Sequence, residues 1–104
     1  MSRKEKLEAM LAAEPTDQML RYMLALEVEK ESAHDRSLEL LQGLMADPTP
    51  YVPAFLMAGQ QLTRLGRTEE AGSVYASGIA EARRQGDEHA AGEMSQFKAE
   101  LSQG

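Results

Sequence analysis

Cysteine and tryptophan are absent from the 104-residue sequence, and aromatic bulk is limited to three Tyr and two Phe. Without cysteine, neither a disulfide framework nor a thiolate zinc site is available, which suits a cytoplasmic protein. Long hydrophobic runs are missing too. The longest, from Tyr51 to Gly59, contains Pro53 and is far too short to span a bilayer. The opening MSRKEKLEAM lacks the continuous apolar stretch of a secretory signal, so a soluble protein without a membrane partner is expected. Basic residues are in deficit, 11 against 17 acidic ones, for a net charge of -6. Such a balance repels phosphate backbones, and the one dense basic group, Arg3, Lys4 and Lys6, reads as a solvated helix end rather than a nucleic-acid footprint. Catalytic signatures are also lacking. There is no nucleophile motif, and Gly66 and Gly72 are isolated rather than part of a phosphate-cradling loop, so neither an enzyme nor a cofactor is expected.

What is present is an ordinary globular balance of 42% hydrophobic and 27% charged residues, enough for one domain over 1–104. Seven methionines carry much of the apolar bulk, which makes for an adaptable core. Taken in order, Ser2 and Glu5 have the spacing of a capping box, and Leu7, Met10 and Leu11 form one stripe before Pro15 ends the first helix. Gln18 to about Glu31 is apolar nearly all round, which implies burial on two sides or a face left open for a partner. Asp35 is the expected cap of a helix carrying Leu38, Leu41, Leu44 and Met45, stopped by Asp47-Pro48-Thr49-Pro50. Pro53 belongs in the first turn of the next helix, where its missing N–H costs nothing.

From Ala54 to Ala82 the chain reads as two helices folded back on each other around small residues. Phe55, Ala58, Gly59 and Leu62 recur at helical spacing, Leu65-Gly66-Arg67 interrupts, and Ala71, Val74, Tyr75, Gly78 and Ile79 resume it. Glycine inside a helix costs about 1 kcal/mol relative to alanine, so Gly59 and Gly78 mark close helix contact. After them, Gly86 can close a helix, and Ala90, Met94, Phe97 and Leu101 form the narrow stripe of a terminal cap.

Sliding the sequence by 34 residues shows an internal repeat. Leu7 falls on Leu41 and Tyr75, Met10 on Leu44 and Gly78, and Leu11 on Met45 and Ile79. Leu24, Ala25 and Val28 fall on Ala58, Gly59 and Leu62, and Ser37 on Ala71.

These residues resemble the tetratricopeptide repeat, the 34-residue helix-turn-helix unit. Phe55 stands at the tryptophan of its pattern, with Ala58, Gly59 and Leu62 at the leucine, glycine and tyrosine. Ala71, Tyr75 and Gly78 stand at the alanine, phenylalanine and second alanine. Arg83 departs from the proline, and Arg21 from the tryptophan of the preceding copy. The resemblance implies an all-α solenoid of antiparallel hairpins in a small bacterial-type two-repeat protein. Its expected layout is five helices: a half repeat at 2–14, full repeats at 18–51 and 52–85, and a capping helix at 87–102. Gly43 and Gly72 fall mid-helix where the repeat does not ask for glycine.

In tetratricopeptide proteins the first helices of successive repeats line a concave groove that holds ligands. By the same register the groove here would be Met19, Tyr22, Leu26 and Lys30 from one repeat and Leu56, Gln60, Thr63 and Arg64 from the next, with Glu29 and Pro53 beside them. The resemblance therefore implies a protein or peptide partner. Met19, Tyr22, Leu26 and Leu56 would bury its apolar side chains, and Lys30 and Arg64 would hold its acidic groups. Chaperone-binding members clamp a C-terminal carboxylate with Lys, Asn and Arg, which Tyr22, Leu26, Leu56 and Gln60 do not supply. Two alternatives stand beside this reading. One is a homodimer formed through apolar residues at an open end of the stack. The other is a metal-binding bundle, suggested by the E-x-x-H spacing of Glu31 and His34, although a di-metal site needs a second such motif and none exists.

Overall fold

The structure is a computed structural model that describes residues 1–103. It is built of α1 (Arg3–Ala13), α2 (Gln18–Lys30), α3 (His34–Met45), α4 (Val52–Arg64), α5 (Thr68–Arg84) and α6 (Glu88–Leu101). These are six helices, one more than expected. Two complete hairpins already require four, and a helix flanks them on either side, so the expected number was one short for its own layout.

Local chemistry sets where the helices begin. Ser2 Oγ accepts the Glu5 N–H at 3.1 Å while the Glu5 carboxylate accepts the Ser2 N–H at 3.0 Å, which satisfies two otherwise free donors. Asp17 and Asp87 cap α2 and α6 by accepting from the Leu20 and Ala90 N–H groups. Asp35 does not cap α3, contrary to expectation. Ala33 holds that position without a side-chain bond, and Asp35 lies in the first turn, where its charge still complements the helix dipole.

That shift follows from how α2 ends. Ser32 takes the left-handed conformation with φ 62°, so the Ala33 N–H turns back to the Val28 carbonyl at 3.0 Å. Gly66 and Gly86 do the same at φ 77° and 80°, with Arg67 donating to Leu62 and Asp87 to Ala82. Three turns thus share one closure, in which a left-handed residue satisfies the free carbonyls of the helix before it.

Each helix packs on the next along the chain, and α4 also touches α6, which gives a slab of 43 × 29 × 18 Å. The main core runs from α3 through α4 and α5 to α6, with Leu41, Leu44, Tyr75 and Met94 fully enclosed. A smaller cluster of Leu7, Leu24 and Val28 fastens α1 to α2. Gly59 and Gly78 are where the helices meet most closely. A methyl at Gly59 would overlap the Tyr75 ring, and one at Gly78 would come within 2.6 Å of Phe55 Cβ. Gly59 therefore makes room for a ring rather than for a second backbone.

The first hairpin is joined differently. Arg21, at the place of the repeat's tryptophan, grips Asp47 with two hydrogen bonds of 2.6 and 3.1 Å. Gln18 Nε2 donates to the same carboxylate at 2.9 Å and to the Thr49 carbonyl at 2.7 Å. Deeper inside, Ser37 Oγ donates to the Ala25 carbonyl at 2.7 Å and accepts from Gln61 Nε2 at 3.1 Å, which ties α2, α3 and α4 together. Gly43 now has a reason: a Cβ there would sit 3.3 Å from the Arg21 guanidinium. No such reason exists for Gly72, where a Cβ would make only ordinary contact with Leu101 at 3.9 Å.

Candidate functional site

α2 and α4 are the first helices of the two hairpins and begin 34 residues apart, so the predicted groove residues fall in matching turns of both. At the N-terminal end of α2, Met19 projects into solvent with 63% of its surface exposed. One turn on, Tyr22 is half-buried, its ring centroid 5.4 Å from that of Tyr51 at a 59° tilt. Burial pushes the Tyr22 phenol above its ordinary pKa, and the neighbouring Tyr51 adds to the shift. Leu26 is half-buried further along, and Lys30, exposed at the end of α2, lies 3.5 Å from Glu27.

On α4, Leu56 and Gln60 are half-buried, and Thr63 and Arg64 are exposed at the C-terminal end. Tyr22 and Leu56 both pack against the main core cluster. Thr63 Oγ1 spends its proton on the Gly59 carbonyl one turn back, at 2.8 Å, so it can only accept from a ligand. Arg64 forms no ion pair among the described residues. Lys30 and Arg64 each close their helix, so both cations lie at one end of the pair, where the helix dipoles are negative. The face thus runs from an exposed methionine, through half-buried apolar groups, to a basic end.

The E-x-x-H pair does not assemble a site. Glu31 reaches Lys4 at 3.3 Å, whereas His34 Nδ1 turns to the Glu29 carboxylate. No group of three or more His, Cys, Asp or Glu side chains converges among the described residues. Nor is any helix among them long and apolar enough to cross a membrane.

Sequence reasoning missed a second surface. A recess of about 640 Å³ opens between α5 and α6, with Ala76, Ile79, Arg83, Lys98 and Leu101 in its lining. The signal was present in the repeat. Ile79 repeats Met45 at a distance of 34 residues, and Met45 lines a smaller recess with Phe55 of α4 and Val74 and Ser77 of α5.

No family model matches the sequence, and no curated protein does. Solved structures do match. A solution NMR structure of a tetratricopeptide repeat domain protein from Salinibacter ruber is 35% identical, with a TM-score of 0.77 over 84% of this chain and 88% of that one. A crystal structure of a tetratricopeptide repeat domain protein from the same organism is 34% identical, with a TM-score of 0.74 over 83% and 97%. The solution structure of a Bordetella parapertussis protein is 31% identical and covers 99% of this chain and 90% of that one, with a TM-score of 0.81. With the hairpins, their 34-residue register and these likenesses in agreement, the chain belongs to the tetratricopeptide repeat family.

Proposed function

We propose that this is a non-catalytic interaction module of the cytoplasm, one repeat domain over 1–104, which binds a peptide or helix across α2 and α4. One observation supports it most: half-buried Tyr22, Leu26 and Leu56 lie in matching turns that lead to Lys30 and Arg64 at one end. Apolar groups held partly in the core offer anchor points with little ordering cost, because their rotamers are already restricted. The two cations then favour a ligand with carboxylates beyond its apolar residues, and Gln60 and Thr63 supply polar groups near that end.

The test uses peptides selected from a random library against the whole chain and read by NMR. Selected peptides should be acidic at one end and should shift the amides of α2 and α4. Tyr22→Ala should weaken them by about tenfold or more, as loss of a half-buried aromatic anchor does, and Arg64→Ala by a smaller factor. Shifts confined to other helices, or full affinity in the double variant, would refute this reading.

Self-association is a second reading, and Met10 favours it. Its equivalents Leu44 and Gly78 are buried, yet Met10 is 52% exposed. Light scattering at tens of micromolar that returned a monomer would remove this alternative.

A further inference from the structure

We infer that the trough between α5 and α6 is a second docking surface, distinct from the α2–α4 face, and that it takes an acidic amphipathic helix from a partner protein. The repeat itself marks the place. α6 follows α5 as α4 follows α3, and in the earlier layer the recess beside Met45 has a third wall from the next second helix, α5, through Val74 and Ser77. One layer on, Ile79 occupies the position of Met45, and among the described residues no helix lies over it. The space left between α5 and α6 is therefore shaped by the fold for a helix. From Thr68 to Arg83 the lining of α5 runs about 22 Å at 1.5 Å per residue, which suits an occupant of about four turns.

Charge decides which helix fits. Arg83 and Lys98 are the ionised residues of the lining, no carboxylate lies among them, and neither cation has an ion-pair partner among the described residues. Two unpaired cations beside Ile79 and Leu101 stand out in a chain of net charge -6. Gly72 and Leu101 face each other, so Lys98 lies near the level of Ala76, and Arg83 about two turns, roughly 10 Å, further along α5. Arg83 on α5 and Lys98 on α6 stand on opposite walls of the trough, so carboxylates on opposite flanks of an apolar helix, about two turns apart, would meet both. A second copy fits less well. Its α1, the helix of matching register, carries Arg3, Lys4 and Lys6 against Glu5 and Glu8, so it would bring a small net positive charge, not carboxylates in excess, to Arg83 and Lys98.

The probes are two synthetic 18-residue helical peptides with one leucine stripe, carrying a glutamate on each flank of it about two turns apart, or lysines at the same places. Fluorescence anisotropy with the full chain should show the glutamate peptide binding and the lysine peptide not. The double variant Arg83→Glu/Lys98→Glu should lose the glutamate peptide at least tenfold and gain the lysine peptide. Ile79→Gln should weaken both pairings, and Tyr22→Ala/Arg64→Ala should leave them unchanged. That last variant separates this surface from the α2–α4 face, so either can fail alone. Equal binding of both peptides, or loss of the glutamate peptide only in the Tyr22→Ala/Arg64→Ala chain, would overturn the assignment. So would a concentration-dependent dimer abolished by Lys98→Glu, which would give the trough to a second copy.

Discussion

The two hairpins reach one geometry through opposite chemistries. Between α4 and α5, Gly59 and Gly78 give up their side chains so that Tyr75 and Phe55 interlock with each other and with Met94 of α6. Between α2, α3 and the turn after them, Arg21, Gln18 and Asp47 form a clasp at the rim, and Ser37 and Gln61 bond inside. Apolar interlocking tolerates little change in volume, because buried rings have nowhere to move. A polar clasp tolerates volume but not the loss of a partner. The family pattern describes the first kind of joint, which is why it reads clearly over 52–85 and faintly over 18–51.

The largest effect should come from filling the apolar joint. Gly59→Leu places a side chain where the Tyr75 ring lies, and that ring is 1% exposed and enclosed on every side. Overpacking of this kind costs on the order of 1 to 3 kcal/mol, and here the upper end is expected because neither helix can yield without opening the core. Urea denaturation would measure it. A variant as stable as the parent would mean that α4 and α5 do not meet through Gly59.

Next comes the interior of the polar joint. Ser37→Ala leaves Gln61 Nε2 without a partner in a site closed to water and takes the second donor from the Ala25 carbonyl, at a cost of about 1 to 3 kcal/mol. Gln61→Leu should cost much less. It keeps the Ser37 bond to Ala25 and removes Gln61 Oε1, a buried acceptor that has no partner. If the two variants lost equal stability, the bond between Ser37 and Gln61 would not be what joins α3 to α4.

The rim clasp should make itself known through pH. Hydrogen bonds from Arg21, and then from Gln18, hold the Asp47 carboxyl below its ordinary pKa. A lowered folded-state pKa contributes stability above the unfolded value of about 3.9 that is lost as pH falls through the folded value. Asp47→Asn should therefore melt lower than the parent at neutral pH by a margin that shrinks below about pH 4. Because the pair is partly exposed, the effect should be modest and should weaken in high salt. A margin constant from pH 7 to pH 2 would remove the clasp as its source.

How far the sequence could be read follows the same division. Helical spacing, proline stops and the 34-residue shift placed the hairpins, because those signals depend on backbone rules that hold at every position. The count of helices fell one short, and the start of α3 was misplaced because Ser32, unlike Gly66 and Gly86, takes a left-handed turn without the residue that announces one. Arg21 read as a defect in the pattern, since its partner Asp47 is 26 residues away and a side-chain pair at that distance leaves no periodic trace. Of the groove residues, positions were legible but burial was not. Nothing in their order separates exposed Met19 from Tyr22, which leans on Tyr51.

The smallest effect, and the sharpest contrast with Gly59, belongs to Gly43. Both glycines lie inside helices, where alanine is favoured by about 1 kcal/mol, so propensity alone predicts the same gain at each. What differs is the neighbour. At Gly59 it is an enclosed ring, whereas at Gly43 it is the tip of the Arg21 side chain, 3.3 Å from the added Cβ and free to give a few tenths of an ångström. Gly43→Ala should thus leave stability unchanged or raise it by up to about 1 kcal/mol, read as a shift in the urea midpoint at constant slope. A clear loss would show the guanidinium fixed as rigidly as Tyr75, and the clasp would then tolerate no more added volume than the apolar joint does.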